Sequence, residues 1–322
     1  RPRLKKGVPA MKRRLFFGTV FSGLAGLASA RAPKPKAGDI PMRSLGKTGQ
    51  NLTCIGMGGA RFHLIPFDEG VALVRRAYDL GINYFDMARS YWNGRAEEVY
   101  GAAIQPFRNN IFLTTKTGMR TRKDAEAEIN LSLKLMKTDH VDLWQMHGVN
   151  EKRDIDRIFA PSGALEAFEA AKKAGKCRFI GFTGHADPDL NVEMLRRYDK
   201  FDTMLMPLHV ADTAYLSFEK SALPLAVERG IGMLGMKIFG NAFLLRAFSV
   251  RNCLCYTLSL PVHAVTLGFC TIGQLEDDVR IAQQFKPLSP EEMDGLRTRA
   301  QSKAQDIPNG TALEYWKKKL PA

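Results

Sequence analysis

The chain is predicted to fold as an α/β protein, a (β/α)8 TIM barrel with an N-terminal β-hairpin plug and a C-terminal extra helix. Short β-branched and aromatic runs alternate with helical patterns at a regular pitch, which is how a parallel sheet is written into sequence. Residues 81–86 (GINYFD), 109–118 (NNIFLTTKTG) and 140–148 (HVDLWQMHG) are three such runs, one βα unit apart. The 322 residues suit one barrel, which needs about 250. Asp86, Lys116 and His147 each end one of those runs, and Tyr91 follows Asp86 in a polar loop. A closed barrel rings the carboxyl ends of its strands around one mouth, so these four side chains are expected to converge there.

The other elements follow in order. Residues 42–52 (MRSLGKTGQNL) read as a hairpin turning at residues 47–49. Its GKT is not a phosphate loop, because the glycine that motif requires five residues before Gly46 is Pro41. Residues 52–60 (LTCIGMGGA) form the first barrel strand. Gly56 and Gly58 lack a third glycine, Arg61 standing in its place, so no Rossmann fingerprint is present. Helical patterns cover residues 68–81, with Gly81 as the cap, then 122–137 and 164–176, with apolar residues three and four apart. Strands five to eight are residues 177–185, 202–209, 231–237 and 263–268, and a last helix covers 290–306.

Net charge is +14, yet Arg1, Arg3, Lys5, Lys6, Lys12, Arg13, Arg14, Arg31, Lys34 and Lys36 all precede the first acid, Asp39. The remainder carries only +4 and no basic stripe with interleaved aromatics, which argues against a nucleic-acid partner. From Met11, the expected start, MKRRLFFGTVFSGLAGLASA has a basic beginning, an uncharged run and Ala28-Ser29-Ala30 as a cleavage site. Its sixteen uncharged residues are too few for a stable membrane span. Arg13 and Arg14 with Phe16 partly match the twin-arginine pattern, so the expected partner is the twin-arginine export machinery and the expected location the periplasm. The expected organisation is a targeting segment at 1–30, a linker at 31–39, the barrel at 40–287, and a C-terminal helix and tail at 288–322. Five scattered cysteines form no C-x-x-C pair, no iron–sulfur cluster motif and no disulfide framework, and are expected to be packing thiols.

The four converging side chains suit carbonyl reduction. That reaction needs a hydride source and a proton donor aimed at the oxygen where charge develops. Tyrosine is a weak acid, and a neighbouring ammonium lowers its pKa. With DMARSYWNGRAEEVYG and LSLKLMKTDHVDLWQMH as the carrying motifs, residues 43–285 resemble the aldo-keto reductase family. The resemblance implies a hairpin plugging the barrel bottom. It also implies Tyr91 as general acid, Lys116 as its tuner, Asp86 as the lysine's partner and His147 as a hydrogen-bond donor to a small-molecule carbonyl substrate. The cofactor implied is NADP(H), with NAD(H) the alternative and no metal. Its implied contacts are Gly58, Gly59, Thr183, Gly184, Lys237, Gly240, Gly268, Thr271, Gln274 and Asp278, with Lys237 and Gly240 on the pyrophosphate.

The sequence departs from the family pattern at the cofactor. Leu205 replaces a glutamine, His209 an asparagine, Cys270 the arginine for the 2′-phosphate, and Asp278 another asparagine. Two other readings stand beside the reductase. His147, His185 and His209 end strands four, five and six, as in a metal-dependent barrel hydrolase or isomerase. The lost cofactor contacts would also suit a nucleotide-sensing barrel without turnover. Trp92, Phe62, Trp144 and Phe239 are candidates for an apolar mouth, with core packing the alternative.

Overall fold

The computed structural model describes residues 38–305. The targeting segment, most of the linker and the C-terminal tail lie outside the described residues. The hairpin is β1 (Met42–Ser44) and β2 (Asn51–Thr53), paired antiparallel. Eight parallel strands follow: β3 (Ile55–Gly58), β4 (Tyr84–Asp86), β5 (Phe112–Thr117), β6 (Val141–Met146), β7 (Cys177–Thr183), β8 (Thr203–Pro207), β9 (Gly232–Met236) and β10 (Ala264–Gly268). They close into a barrel in that order, β10 pairing with β3. All eight fall on the expected runs.

The strands alternate because both of their faces are buried against different partners. Leu143, Leu205 and Leu234 point into the barrel and pack with Tyr84 and Phe112. Their neighbours Trp144, Met204 and Met233 point outward into a larger core beneath the helices. Those helices are α1 (Phe67–Asp79), α2 (Arg95–Ala103), α3 (Arg122–Met136), α4 (Lys152–Phe159), α5 (Ala164–Lys173), α6 (Pro188–Arg197), α7 (Ala222–Glu228), α8 (Val250–Ser259), α9 (Ile272–Gln283) and α10 (Pro290–Gln305).

The hairpin does plug the bottom. Leu45 and Leu52 are fully buried in the inner cluster, and each such leucine contributes about 1.5–3 kcal/mol. Gly46 makes this possible: at φ +49, a Cβ there would stand 2.5 Å from the Gly232 backbone nitrogen. Cys54, Cys177, Cys253 and Cys255 are buried free thiols, and Cys270 is half-buried. Among the described residues, no helix is long and apolar enough to cross a membrane.

Candidate active site

Asp86 and Lys116 meet where β4 and β5 end. The period of two puts Thr114 and Lys116 on one inward face of β5, and β4 brings Asp86 level with Thr114. The Lys116 Nζ donates to Asp86 Oδ2 at 2.7 Å and to the Met87 carbonyl at 2.5 Å, while the Thr114 hydroxyl donates to Asp86 Oδ1 at 2.8 Å. Both charged side chains are almost wholly buried, 1% and 3% exposed. Burial alone would pull the lysine pKa down, but Asp86 and Tyr91 outweigh it and carry it above its ordinary value.

Tyr91 lies over this pair, its ring centroid 5.2 Å from the Lys116 ammonium. Lys116 pulls the phenol pKa down as the sequence suggests. Burial outweighs that pull, and with Asp86 adding to it the net shift is upward. The next three residues, Trp92, Asn93 and Gly94, all have left-handed backbones (φ 50, 53 and 88°). Strain of this kind persists only where the surroundings enforce it. Here Arg89 packs against Gly94, where any Cβ would collide with its guanidinium, and pairs with the fully buried Glu97 at 3.7 Å. Glu97 is held in turn by the Thr115 hydroxyl at 2.7 Å.

His147 follows β6. Its ring stands edge-on to Tyr91, centroids 5.7 Å apart, and its Nδ1 lies 3.3 Å from the Ser90 hydroxyl. Its backbone is clamped by Arg120, whose Nη2 donates to the carbonyls of His147 (2.8 Å) and Gly148 (2.9 Å) while its Nε binds Asp154 on α4 at 2.9 Å. Burial, then Lys116, His185, Lys237 and Arg120, hold the imidazole pKa far below its usual value, so the ring is neutral. His185, with its ring 5.9 Å away, is pushed down to about 3 by burial and then by Lys237 and Lys116. His209 is buried, two residues beyond the carboxyl end of β8. Among the described residues no three His, Cys, Asp or Glu side chains gather as a metal ion requires.

Beside Tyr91 opens a cleft of about 680 Å³, its solvent-open part included. Gly58, Thr266 and Gly268 line it on the β3 and β10 side; Lys237, Phe239 and Asn241 line it beyond β9, and Arg61 also faces it.

Comparison with known proteins follows the same line. The profile of the aldo/keto reductase family matches residues 54–253. This chain belongs to that family. An uncharacterized oxidoreductase of Bacillus subtilis is 33% identical over 308 residues, 82% of this chain and 97% of that protein. The L-galactose dehydrogenase of Arabidopsis thaliana is 32% identical over 212 residues, 61% and 64% of the two chains. In fold, an aldo-keto reductase of Bacillus halodurans in its holo form superposes with a TM-score of 0.66 at 23% identity, covering 82% of this chain and 96% of that one. Aldo/keto reductases are oxidoreductases whose general reaction is carbonyl reduction with a nicotinamide cofactor.

The cleft of this aldo/keto reductase has the chemistry such a cofactor needs. It offers two cations, Arg61 and Lys237, and a buried Thr266 hydroxyl without a hydrogen-bond partner. Of the expected cofactor residues, Gly58, Lys237 and Gly268 reach the cleft. Gly240 follows Phe239 at its edge, buried and with φ +50. Thr183 is buried and accepts the Gly148 N–H at 2.8 Å, so it also steadies the His147 loop. Gly59 and Gly184 are closed against Met87 and Asn191. Beyond β10 the loop turns inward: Thr271 caps α9 through the Gln274 N–H, Gln274 accepts from the Cys270 N–H at 2.9 Å, and Asp278 is fully buried. These three residues do not line the cleft.

Of the candidate aromatics, Phe62 and Trp144 belong to the core, Trp144 stacked 3.7 Å from Phe168, while Phe239 lines the cleft. Thr114, Ser90, Arg120 and Asp154 are supports that the sequence reading misses. Only Thr114 left a signal, two residues before Lys116 on the same face.

Proposed function

We propose that this aldo/keto reductase reduces the carbonyl of a small aldehyde or ketone to the alcohol, with Tyr91 as proton donor. The observation that carries the reading is the Tyr91 hydroxyl resting on a buried Lys116–Asp86 pair and facing a neutral His147. A bound nicotinamide cofactor, NADP(H) or NAD(H), supplies the hydride. Gly58, Thr266 and Gly268 would hold it along one wall, with Arg61 providing positive charge.

The upward shift of the phenol keeps Tyr91 protonated near neutral pH, as an acid must be. As charge develops on the substrate oxygen, the Tyr91 proton moves to it. Lys116 stabilises the phenolate left behind, and Asp86 keeps Lys116 charged and aimed. A Ser90 hydroxyl that donates to His147 Nδ1 leaves the ring's single proton on Nε2, free to bond the same oxygen. General acid catalysis of this kind is worth about 10²–10⁴-fold.

The test is to mix the protein with NADPH or NADH and a panel of aldehydes and ketones, following nicotinamide absorbance. Carbonyl-dependent oxidation is expected, unaffected by a chelator. Cofactor binding without oxidation by any carbonyl would favour a sensing barrel, and loss of activity to the chelator would favour metal chemistry.

A further inference from the structure

We propose that Arg120, held by Asp154 of α4, is a positioning residue for catalysis: it fixes the backbone of His147 and so the angle at which the imidazole meets the substrate oxygen. The proposal rests on the reductase reading above and adds two residues to its machinery, both acting through His147.

β6 ends at Met146, so His147 is the first residue beyond the strand. Its N–H still donates to the Thr117 carbonyl at 2.8 Å, after which Gly148 (φ +62) turns the chain off the ladder. The Gly148 and Val149 N–H groups then donate to Thr183, at its hydroxyl and its carbonyl, both at 2.8 Å. Those bonds hold the donor side of the turn. The acceptor side is held by one nitrogen, Arg120 Nη2, which donates to the carbonyls of His147 and Gly148 at 2.8 and 2.9 Å.

Arg120 is itself fixed. Its carbonyl accepts the Ala164 N–H at 3.0 Å, and its side chain is buried. Its Nε donates to Asp154 Oδ1 at 2.9 Å, and Asp154 Oδ2 accepts the Asn150 N–H at 3.1 Å. His147, Arg120, Asp154 and Asn150 therefore close a ring of hydrogen bonds around the turn. A planar guanidinium fits this task, since Nε and Nη2 lie on one edge of a rigid fork. Asp154 arrives on α4, a helix that the crossover from β6 to β7 carries in addition to α5. Ile155 and Ile158 are fully buried and pin α4 to the core, so the carboxylate is presented from a rigid element rather than a loop.

The experiment is a double-mutant cycle on single-turnover reduction of an aldehyde by pre-bound reduced nicotinamide. Arg120→Met should lower the rate about 10–100-fold, the scale on which activity falls when a support is lost or a reacting group is misplaced by about 1 Å. In a His147→Gln background the same change should leave the rate nearly unchanged, because the group it positions is gone. Asp154→Asn, which keeps the shape of the ring, runs a second and milder cycle with the same expectation. A wild-type rate in Arg120→Met, an equal loss in both backgrounds, or a fall in cofactor affinity that accounts for the whole loss would overturn the proposal. Imidazole NMR of nitrogen-labelled histidine follows the contact without turnover. Arg120→Met should shift the His147 signals and leave in place those of His263, which precedes β10 at the other end of the barrel. Unmoved His147 signals would also overturn the proposal. Shifted His147 signals in a chain that reduces no carbonyl would instead leave the clamp standing and sink the reductase reading.

Discussion

The two sides of the barrel mouth are built on different principles. On the side from β4 to β6, Asp86 and Lys116 are the inward residues at strand ends, and His147 directly follows its strand. Their positions are set by strand pitch and register, and the buried Lys116–Asp86 pair ties them together. Beyond β9 and β10 the lining comes from irregular backbone. Lys237, Gly240, Asn241 and Ala242 all have positive φ, and the loop after β10 is closed by its own hydrogen bonds. A side fixed by register cannot change one residue without losing the others. A side made of loops can exchange side chains singly, and there Cys270 and Asp278 stand where the sequence resemblance implies an arginine and an asparagine.

That contrast can be broken by mutation. Asp86→Ala should be among the most destabilising single changes, because it strands a buried ammonium. Removing one partner of a buried pair costs about 3–5 kcal/mol. The urea midpoint should fall accordingly, while Arg61→Ala, on the loop side, should shift it by far less. Equal shifts would show that the two sides are equally coupled to the fold.

On the loop side the effect should fall on cofactor choice. A charge-assisted contact is worth about 1.5–3 kcal/mol, so the family's missing arginine should cost about one to two powers of ten in NADPH affinity. Cys270→Arg is expected to restore a preference for NADPH over NADH of that order in paired fluorescence titrations. A wild-type preference already a hundredfold or more, on the same scale, would mean that another cation has taken the arginine's part.

The smallest effect concerns acid. His185 is held to about 3 in the folded chain, whereas an unfolded histidine titrates near about 6.5. As pH falls below that value the unfolded state takes up a proton that the folded state refuses, so stability is full above it and declines towards the folded pKa. His147 acts in the same direction. His185→Gln should lose less of its urea midpoint between about pH 7 and pH 5 than the wild type does. Parallel losses would place a charged partner beside His185.

Much of this was legible in the sequence for the same reason that the β4–β6 side is rigid. Period-two alternation and a βα pitch located all eight strands, and the strand ends named Asp86, Lys116 and His147. Parity could also have placed Trp144, three residues before His147 and so on the opposite face, in the outer core. The supports were hidden because they are long-range. Arg120 and Asp154 meet across 34 positions, and Ser90 reaches His147 across 57. The sign of the Tyr91 shift was hidden too: a sequence shows the neighbouring cation, while the depth of burial that outweighs it depends on the closed barrel.

The central claim is that Tyr91 supplies the proton, and single-turnover reduction of an aldehyde by pre-bound reduced nicotinamide tests it most directly. In Tyr91→Phe the cofactor dissociation constant should match the wild type, while the rate of nicotinamide oxidation falls by about 10²–10⁴-fold. An unchanged rate in that variant would contradict the account.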